Sequence, residues 1–168
     1  MQSSTAKKVV VHRYDREPVL GFVHPTAYLQ GDCVEILLAN GVLQRLPYSE
    51  IKHVSFVKDF DLSRNQPGQR VFQSRPKLEG LWVRMEFRDG ETQEGVLTNN
   101  LARTETAGFM VTPPNAGGNT QRIFVPRESL KALTVLAVMG LKTARRTPPK
   151  STGGQQSLFD EQSPPAPG

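Results

Sequence analysis

The sequence predicts an all-β protein: two small five-stranded barrels in tandem, followed by a disordered C-terminal tail. Three observations carry that expectation. Apolar and polar residues alternate with the period of two that gives a strand one buried face, as where Leu81, Val83, Met85 and Phe87 alternate with Trp82, Arg84, Glu86 and Arg88. The pattern also occurs twice. With Gly21 placed over Gly95, Val9 falls over Val83, Val11 over Met85 and Phe22-Val23 over Val96-Leu97; after a loop of different length, Pro47 falls over Pro126, Ile51 over Leu130, Val54 over Leu133 and Phe56 over Val135. Finally, the composition changes beyond Gly140: Lys142 to Gly168 holds five prolines and almost no apolar residues.

In the first repeat, strands are expected at Val9 to Tyr14, Pro18 to Val23, Val34 to Leu38, Leu43 to Leu46 and Ile51 to Val57. The second repeat opens on the alternating run from Leu81, which Asp89-Gly90 turns back, because glycine tolerates the positive φ of a tight hairpin. The return strand, Glu91 to Leu97, contains Gly95, a residue that lets a small barrel bend sharply. A third strand at Gly108 to Thr112 ends at Pro113-Pro114, and a fourth at Arg122 to Val125 stops at Pro126, which lacks the N–H that continues a ladder. The turn Arg127-Glu128-Ser129 leads into a fifth, Leu130 to Val138. Five short strands in such a span suit a small barrel. The resulting division is a first barrel over residues 1–57, an irregular linker over 58–80, a second barrel over 81–140 and the tail over 141–168. In the linker, Phe60, Val71 and Phe72 are the residues able to pack onto a barrel.

The chain's 168 residues, 37% of them hydrophobic, suffice for one ordinary domain or two very small ones. Met1 to Val10 lack the apolar core of a secretory signal, and no apolar run reaches the roughly 18 residues of a membrane helix. Cys33 is the only cysteine, which excludes an intramolecular disulfide and a thiolate metal cage. These features lead to the expectation of a bacterial, cytoplasmic protein. The formal net charge of +5 suggests nucleic acid, but four of those five charges lie in residues 58–80 and 141–168. The expected barrels are close to neutral.

The second repeat resembles the Sm-like family of small β-barrels. Val83, Met85 and Phe87, the Asp89-Gly90 turn, Gly95 and Leu97 match its first motif, and Ile123 to Leu136 resembles the strand, turn and strand of its second. The two repeats together are similar to a tandem of Sm-like or SH3-like barrels. The whole chain, with Ser74-Arg75-Pro76-Lys77 ahead of Gly80-Leu81-Trp82-Val83-Arg84, resembles an uncharacterised bacterial family of such tandems. Sm proteins bind RNA through an asparagine after the second strand and an Arg-Gly pair in the last turn. Asn99 or Asn100 can stand for the first, but Pro126-Arg127 occupies the place of the pair, so the resemblance does not carry over the uridine pocket.

No residue pattern here calls for catalysis. His12, His24 and His53 have no His or Cys at metal-ligand spacing, and Cys33 with His12 or His53 lacks a third group and a nucleophile elbow. No catalytic residue, metal or cofactor is expected. Arg84 and Arg88 have the spacing of cyclic-dinucleotide-binding barrels, but the alternation already explains them as the solvent face of a strand. The loop Asn115 to Asn119 reads as an ordinary hairpin loop.

The tail carries a sharper signal. Gln155, Ser157, Leu158 and Phe159 resemble the short peptide by which bacterial replication and repair proteins dock on the DNA sliding clamp, with Leu158 and Phe159 as apolar anchors and Gln155 at a second subsite. The basic residues Lys142, Arg145, Arg146 and Lys150, with Arg70, Arg75 and Lys77 in the linker, are candidate phosphate contacts. The expected function is therefore that of a non-enzymatic adaptor. Its barrels bind a protein or associate through strand edges, and its tail docks on a partner for which the clamp is the candidate. RNA binding by the linker residues is the alternative, and a cyclic-dinucleotide-sensing barrel a weaker one.

Overall fold

In a computed structural model of the chain, which describes residues 5–61, 63, 69–100, 102 and 104–140, the alternating stretches form ten strands of one antiparallel sheet. The first repeat supplies β1 (Lys7–Arg13), β2 (Val19–Val23), β3 (Cys33–Leu37), β4 (Leu43–Pro47) and β5 (Ile51–Val57). The second supplies β6 (Gly80–Phe87), β7 (Thr92–Leu97), β8 (Gly108–Thr112), β9 (Thr120–Pro126) and β10 (Leu130–Met139). A single 3₁₀ turn joins β4 to β5 at Tyr48–Glu50, and another joins β9 to β10 at Arg127–Ser129. Each is entered from a proline in extended backbone, Pro47 or Pro126, whose fixed φ suits that corner.

The order across the sheet is β10-β6-β7-β8-β9-β5-β1-β2-β3-β4. Each repeat therefore has the same internal order, and the register repeats as well. Val9 opposite Phe56 and Val11 opposite Val54 reappear as Val83 opposite Val135 and Met85 opposite Leu133. The repeats join edge to edge where β5 pairs with β9, aligning Val54 with Phe124, Ser55 with Ile123 and Phe56 with Arg122. The strand pairing is thus one open sheet ending on β4 and β10, because the unpaired N–H and C=O groups of β5 and β9 satisfy each other across the seam.

Two cores flank this seam. Val9, Val11, Val34, Ile36, Ile51 and Val54 form the first with Tyr28, Tyr48 and Phe124; Val83, Met85, Phe87, Leu97, Val111, Ile123 and Val125 form the second. Successive side chains of β9 point to opposite faces, so Phe124 enters the first core while Ile123 and Val125 enter the second. The cores accordingly lie on opposite faces of the sheet where the repeats meet. β1 is covered on both faces, which is why Val9, Val10 and Val11 are all fully buried and the expected alternation is lost there.

The paired glycines have a steric role. A Cβ on Gly21 would meet the Leu37 carbonyl oxygen at 2.5 Å and Ile36 Cγ1 at 2.7 Å, and one on Gly95 would run into the Val111 side chain. The third strand of each repeat crosses at this point, too close for any side chain.

The linker is tied down at several places. Asn119 clamps Asp59, its Oδ1 accepting the Asp59 N–H and its Nδ2 donating to the Asp59 carbonyl, both at 2.8 Å. Phe60 packs edge-on against Phe22 and Phe72 against Trp82, whereas Val71 stays exposed. Glu94, 3% exposed on β7, accepts hydrogen bonds from the Phe72 amide (3.1 Å), Trp82 Nε1 (3.0 Å) and Arg84 Nη2 (2.9 Å). No helix among the described residues is long and apolar enough to cross a membrane.

Candidate functional site: a polar cleft at the seam

Where the repeats join, the face that carries Ser55 and Ile123 opens into a cleft of about 360 Å³. Its walls come from both repeats and the linker: His12 of β1, Lys52 and His53 of β5, Arg70, Glu91 ahead of β7, Asn115 and Thr120. Antiparallel pairing sets His12 opposite His53, and their rings stack with centroids 4.4 Å apart and 26° between planes. Phe87 of the second repeat lies 6.2 Å from the His53 ring. The Nδ1 atom of His53 is buried and has no hydrogen-bond partner among the described residues.

Burial holds the His53 pKa well below its ordinary value, and the nearby His12, Lys52 and Arg70 push it the same way. Burial, then Lys52, lowers His12 as well. Both imidazoles are therefore neutral at neutral pH, each offering one donor and one acceptor nitrogen.

Two of the cationic groups of the cleft, Lys52 and Arg70, are matched by carboxylates, while the Arg13 guanidinium donates to the Glu17 carbonyl. Lys52 Nζ bridges Asp89 and Glu91, tying β5 to the hairpin of the second repeat, and Arg70 holds Glu91 at 3.0 Å. Burial works against the lysine charge, but the two carboxylates outweigh it and raise the Lys52 pKa. For Glu91 the Lys52 hydrogen bond leads and lowers its pKa despite burial. Behind this pair, the Tyr14 hydroxyl lies 2.7 Å from Ser129 Oγ and 3.0 Å from the Ser129 carbonyl oxygen, and Ser129 Oγ donates to the Lys52 carbonyl at 2.7 Å. Arg88 stacks 4.6 Å from the Tyr14 ring and donates to the Ser49 carbonyl at 2.6 Å. Apart from the Arg13 bonds, every one of these contacts crosses from one repeat to the other or to the linker.

The residues singled out by sequence are dispersed. Arg70 reaches the cleft as the partner of Glu91, while Arg75 and Lys77 lie exposed on either side of buried Pro76. Arg84 pairs with Glu94, and Arg127 lies over the Phe109 ring while bonding the Thr106 carbonyl. Cys33 is buried on β3 and does not line the cleft; burial and then Asp32 push its thiol pKa up, which makes it a poor nucleophile. Gln155, Ser157, Leu158 and Phe159, with Lys142, Arg145, Arg146 and Lys150, lie outside the described residues. No group of three or more potential metal ligands occurs among the described residues.

A family model covers residues 5–137, which is all ten strands but the end of β10. The chain belongs to the family of unknown function DUF6982. The match embraces both repeats and the linker, so the seam and its cleft lie wholly within the family region. No curated protein and no solved structure matches the chain.

The stacked histidines were the part that sequence reasoning missed. The repeat alignment gives equivalences between repeats, whereas His12 and His53 meet through the pairing of β1 with β5 inside one repeat. A signal was present: in the second repeat their counterparts are Glu86, aligned with the alternating run from Val83, and Ala132, and neither can form such a stack.

Proposed function

We propose that the protein is a non-enzymatic adaptor whose paired repeats bind a protein segment in the seam cleft while the tail docks a second partner. The reading takes each repeat as an Sm-like or SH3-like barrel and the seam as the surface created by fusing them. The observation that carries it is the state of the cleft. Lys52 and Arg70 are paired to carboxylates, the histidines are neutral, and among the described residues His53 Nδ1 remains as buried hydrogen-bonding capacity without a partner. Such a surface favours recognition over acid–base chemistry, since no charged group is left poised to exchange a proton. The chemistry that suits it is a polar, extended polypeptide whose backbone or amide groups satisfy His53, Asn115 and Thr120.

The tail supplies the second half of the reading. Its resemblance to a clamp-docking peptide at Gln155, Ser157, Leu158 and Phe159 supports a connection between the folded sheet and the replication clamp.

Two assays test the halves separately. A photo-crosslinking residue at Thr120, in the cleft wall, is expected to capture a protein, and Asn115→Trp, which fills the cleft, is expected to remove that product. A nuclease-sensitive product would transfer the reading to RNA binding, with Arg75→Glu as its check. A peptide spanning Gly153 to Gln162 is expected to bind purified sliding clamp and to lose binding on combined Leu158→Ala and Phe159→Ala. Equal binding by that double variant refutes clamp docking.

A further inference from the structure

The cations that line the seam cleft are not equally engaged. Among the described residues, Lys52 bridges Asp89 and Glu91 and Arg70 pairs with Glu91, whereas Arg13 has no carboxylate partner. Its Nε and Nη2 atoms donate to the Glu17 carbonyl at 3.1 and 2.8 Å. A guanidinium carries five N–H groups, so that carbonyl engages two and leaves three, among them the pair at the Nη1–Nη2 end that a carboxylate accepts in parallel. We infer that the segment bound in the cleft is acidic and that Arg13 receives one of its Asp or Glu side chains as a bidentate pair. The inference rests on the cleft being a protein-binding surface, and adds the residue type that this surface selects.

The register of β1 against β5 explains how Arg13 reaches the cleft. His12 stands opposite His53 but Arg13 opposite Ile51, which leaves Lys52 as an extra residue on β5. Neighbours in a regular strand point to opposite faces, yet His12 and Arg13 both line the cleft, and so do Lys52 and His53. The irregularity thus gathers two cations and two imidazoles around one opening. The turn after β1 then fixes the guanidinium, because the chain reverses at Asp15, with a φ of 52°, and brings the Glu17 carbonyl back to Arg13. A side chain already held in place loses little freedom when a ligand arrives.

The charge balance favours the same ligand. Arg13, Lys52 and Arg70 line the cleft against Glu91, and Asp89 beyond the lining brings the set to one net positive charge. The neutral His12 and His53 rings add hydrogen-bonding groups without adding charge. A Lys or Arg of a bound segment would face Arg13 with no carboxylate to compensate, since Glu91 and Asp89 are shared between Lys52 and Arg70. That repulsion selects against basic segments as the fork selects for acidic ones. A small anion could use the same N–H groups, so inorganic phosphate enters the test as the competing ligand.

The test selects a displayed library of short random peptides on the full-length protein, with Asn115→Trp, which fills the cleft, as the counter-selection. The peptides retained are expected to carry Asp or Glu at one fixed position. Exchanging that residue for Asn or Gln in the synthetic peptide is expected to weaken binding about 10- to 100-fold on the wild type, and to have little effect on Arg13→Gln. Arg13→Lys, which keeps the charge and loses the fork, is expected to fall between them. Because the exchange is made in the peptide, the wild-type loss is read on an intact protein whatever Arg13→Gln does to folding. An equal loss on the wild type and Arg13→Gln, or cleft-specific peptides with no acidic position, overturns the inference and leaves the cleft as a protein-binding surface. Failure to enrich any peptide over Asn115→Trp overturns that surface as well. Inorganic phosphate that perturbs the Arg13 side-chain NMR signal at lower concentration than the best peptide marks a small-anion site and overturns the inference.

Discussion

Glu94 is a sensitive point at which to perturb this molecule, because one buried carboxylate joins β6, β7 and the linker. Its Oε2 accepts from the Phe72 amide and Trp82 Nε1, and its Oε1 from Arg84. Glu94→Gln keeps the shape and removes the charge. The amide oxygen can still serve Phe72 and Trp82, but its NH₂ then faces Arg84, whose side chain is 52% exposed and can turn into water. Two charge-assisted hydrogen bonds become neutral and a third is lost, a change worth about 2–3 kcal/mol of stability. For a chain of this size that lowers the midpoint of thermal unfolding by roughly 4–12 °C. The pH dependence must change in a matching direction. Burial alone raises the Glu94 pKa, but the bonds from Arg84, Phe72 and Trp82 outweigh it and hold the folded value below the ordinary carboxylate value of 4.5. A depressed folded pKa gives stability that is present above the unfolded pKa and lost as pH falls through the folded one. The difference in stability between wild type and Glu94→Gln should therefore be constant at neutral pH and shrink below about pH 4.5. Chemical denaturation across pH measures this, and amide exchange at Phe72 reports the local anchor. A stability within about 0.5 kcal/mol of wild type, with unchanged Phe72 protection, would refute the reasoning.

Two further predictions concern the seam. Phe124 is fully buried and brings a second-repeat side chain into the first core, beside Tyr28 and Tyr48, so Phe124→Ala should cost about 3–5 kcal/mol and destabilise both repeats in one transition. Separate melting of the repeats, followed by tryptophan fluorescence for the second, would contradict that coupling. His53 has a folded pKa below its unfolded value near 6.5, so the unfolded chain binds more protons and stability falls as pH drops below about 6.5. His53→Gln should flatten that slope, and NMR titration of the wild-type ring should show it neutral through the same window.

The all-β class was legible because its signals are local. Period-two alternation marks runs such as Leu81 to Arg88, the repeat and the turn residues place the other strands, and Pro47 and Pro126 mark the corners before β5 and β10. The repeat gives both halves the same succession of elements along the chain, and the structure gives both the same strand order. What the alternation does not encode is which edges meet. A strand covered on one face and a strand covered on both differ only in the residues on the second face, and in β1 that signal is a single residue, Val10, between Val9 and Val11. The linker was harder for a related reason. Its anchors, Asn119 on Asp59 and Glu94 on Phe72, join residues distant in sequence, and nothing in Asn119 or Glu94 by itself distinguishes an anchor from a solvated polar residue.

The candidate site was least legible, and the reason lies in how two repeats come to share one cleft. Neither repeat contains the cleft. His12 and His53 come from the first, Glu91, Asn115 and Thr120 from the second, and Arg70 from between them. The charges that look like independent surface residues in sequence, Lys52, Asp89, Glu91 and Arg70, become a closed set only after β5 and β9 have paired. Edge pairing thus fixes the repeats together, buries Phe124 and shapes the cleft, so the stability of the fold and the form of the cleft depend on one junction. A substitution that weakens the seam must then alter the cleft even from outside it. Phe124, which points to the face opposite Ile123 and does not line the cleft, offers a clean way to separate that indirect effect from direct contact.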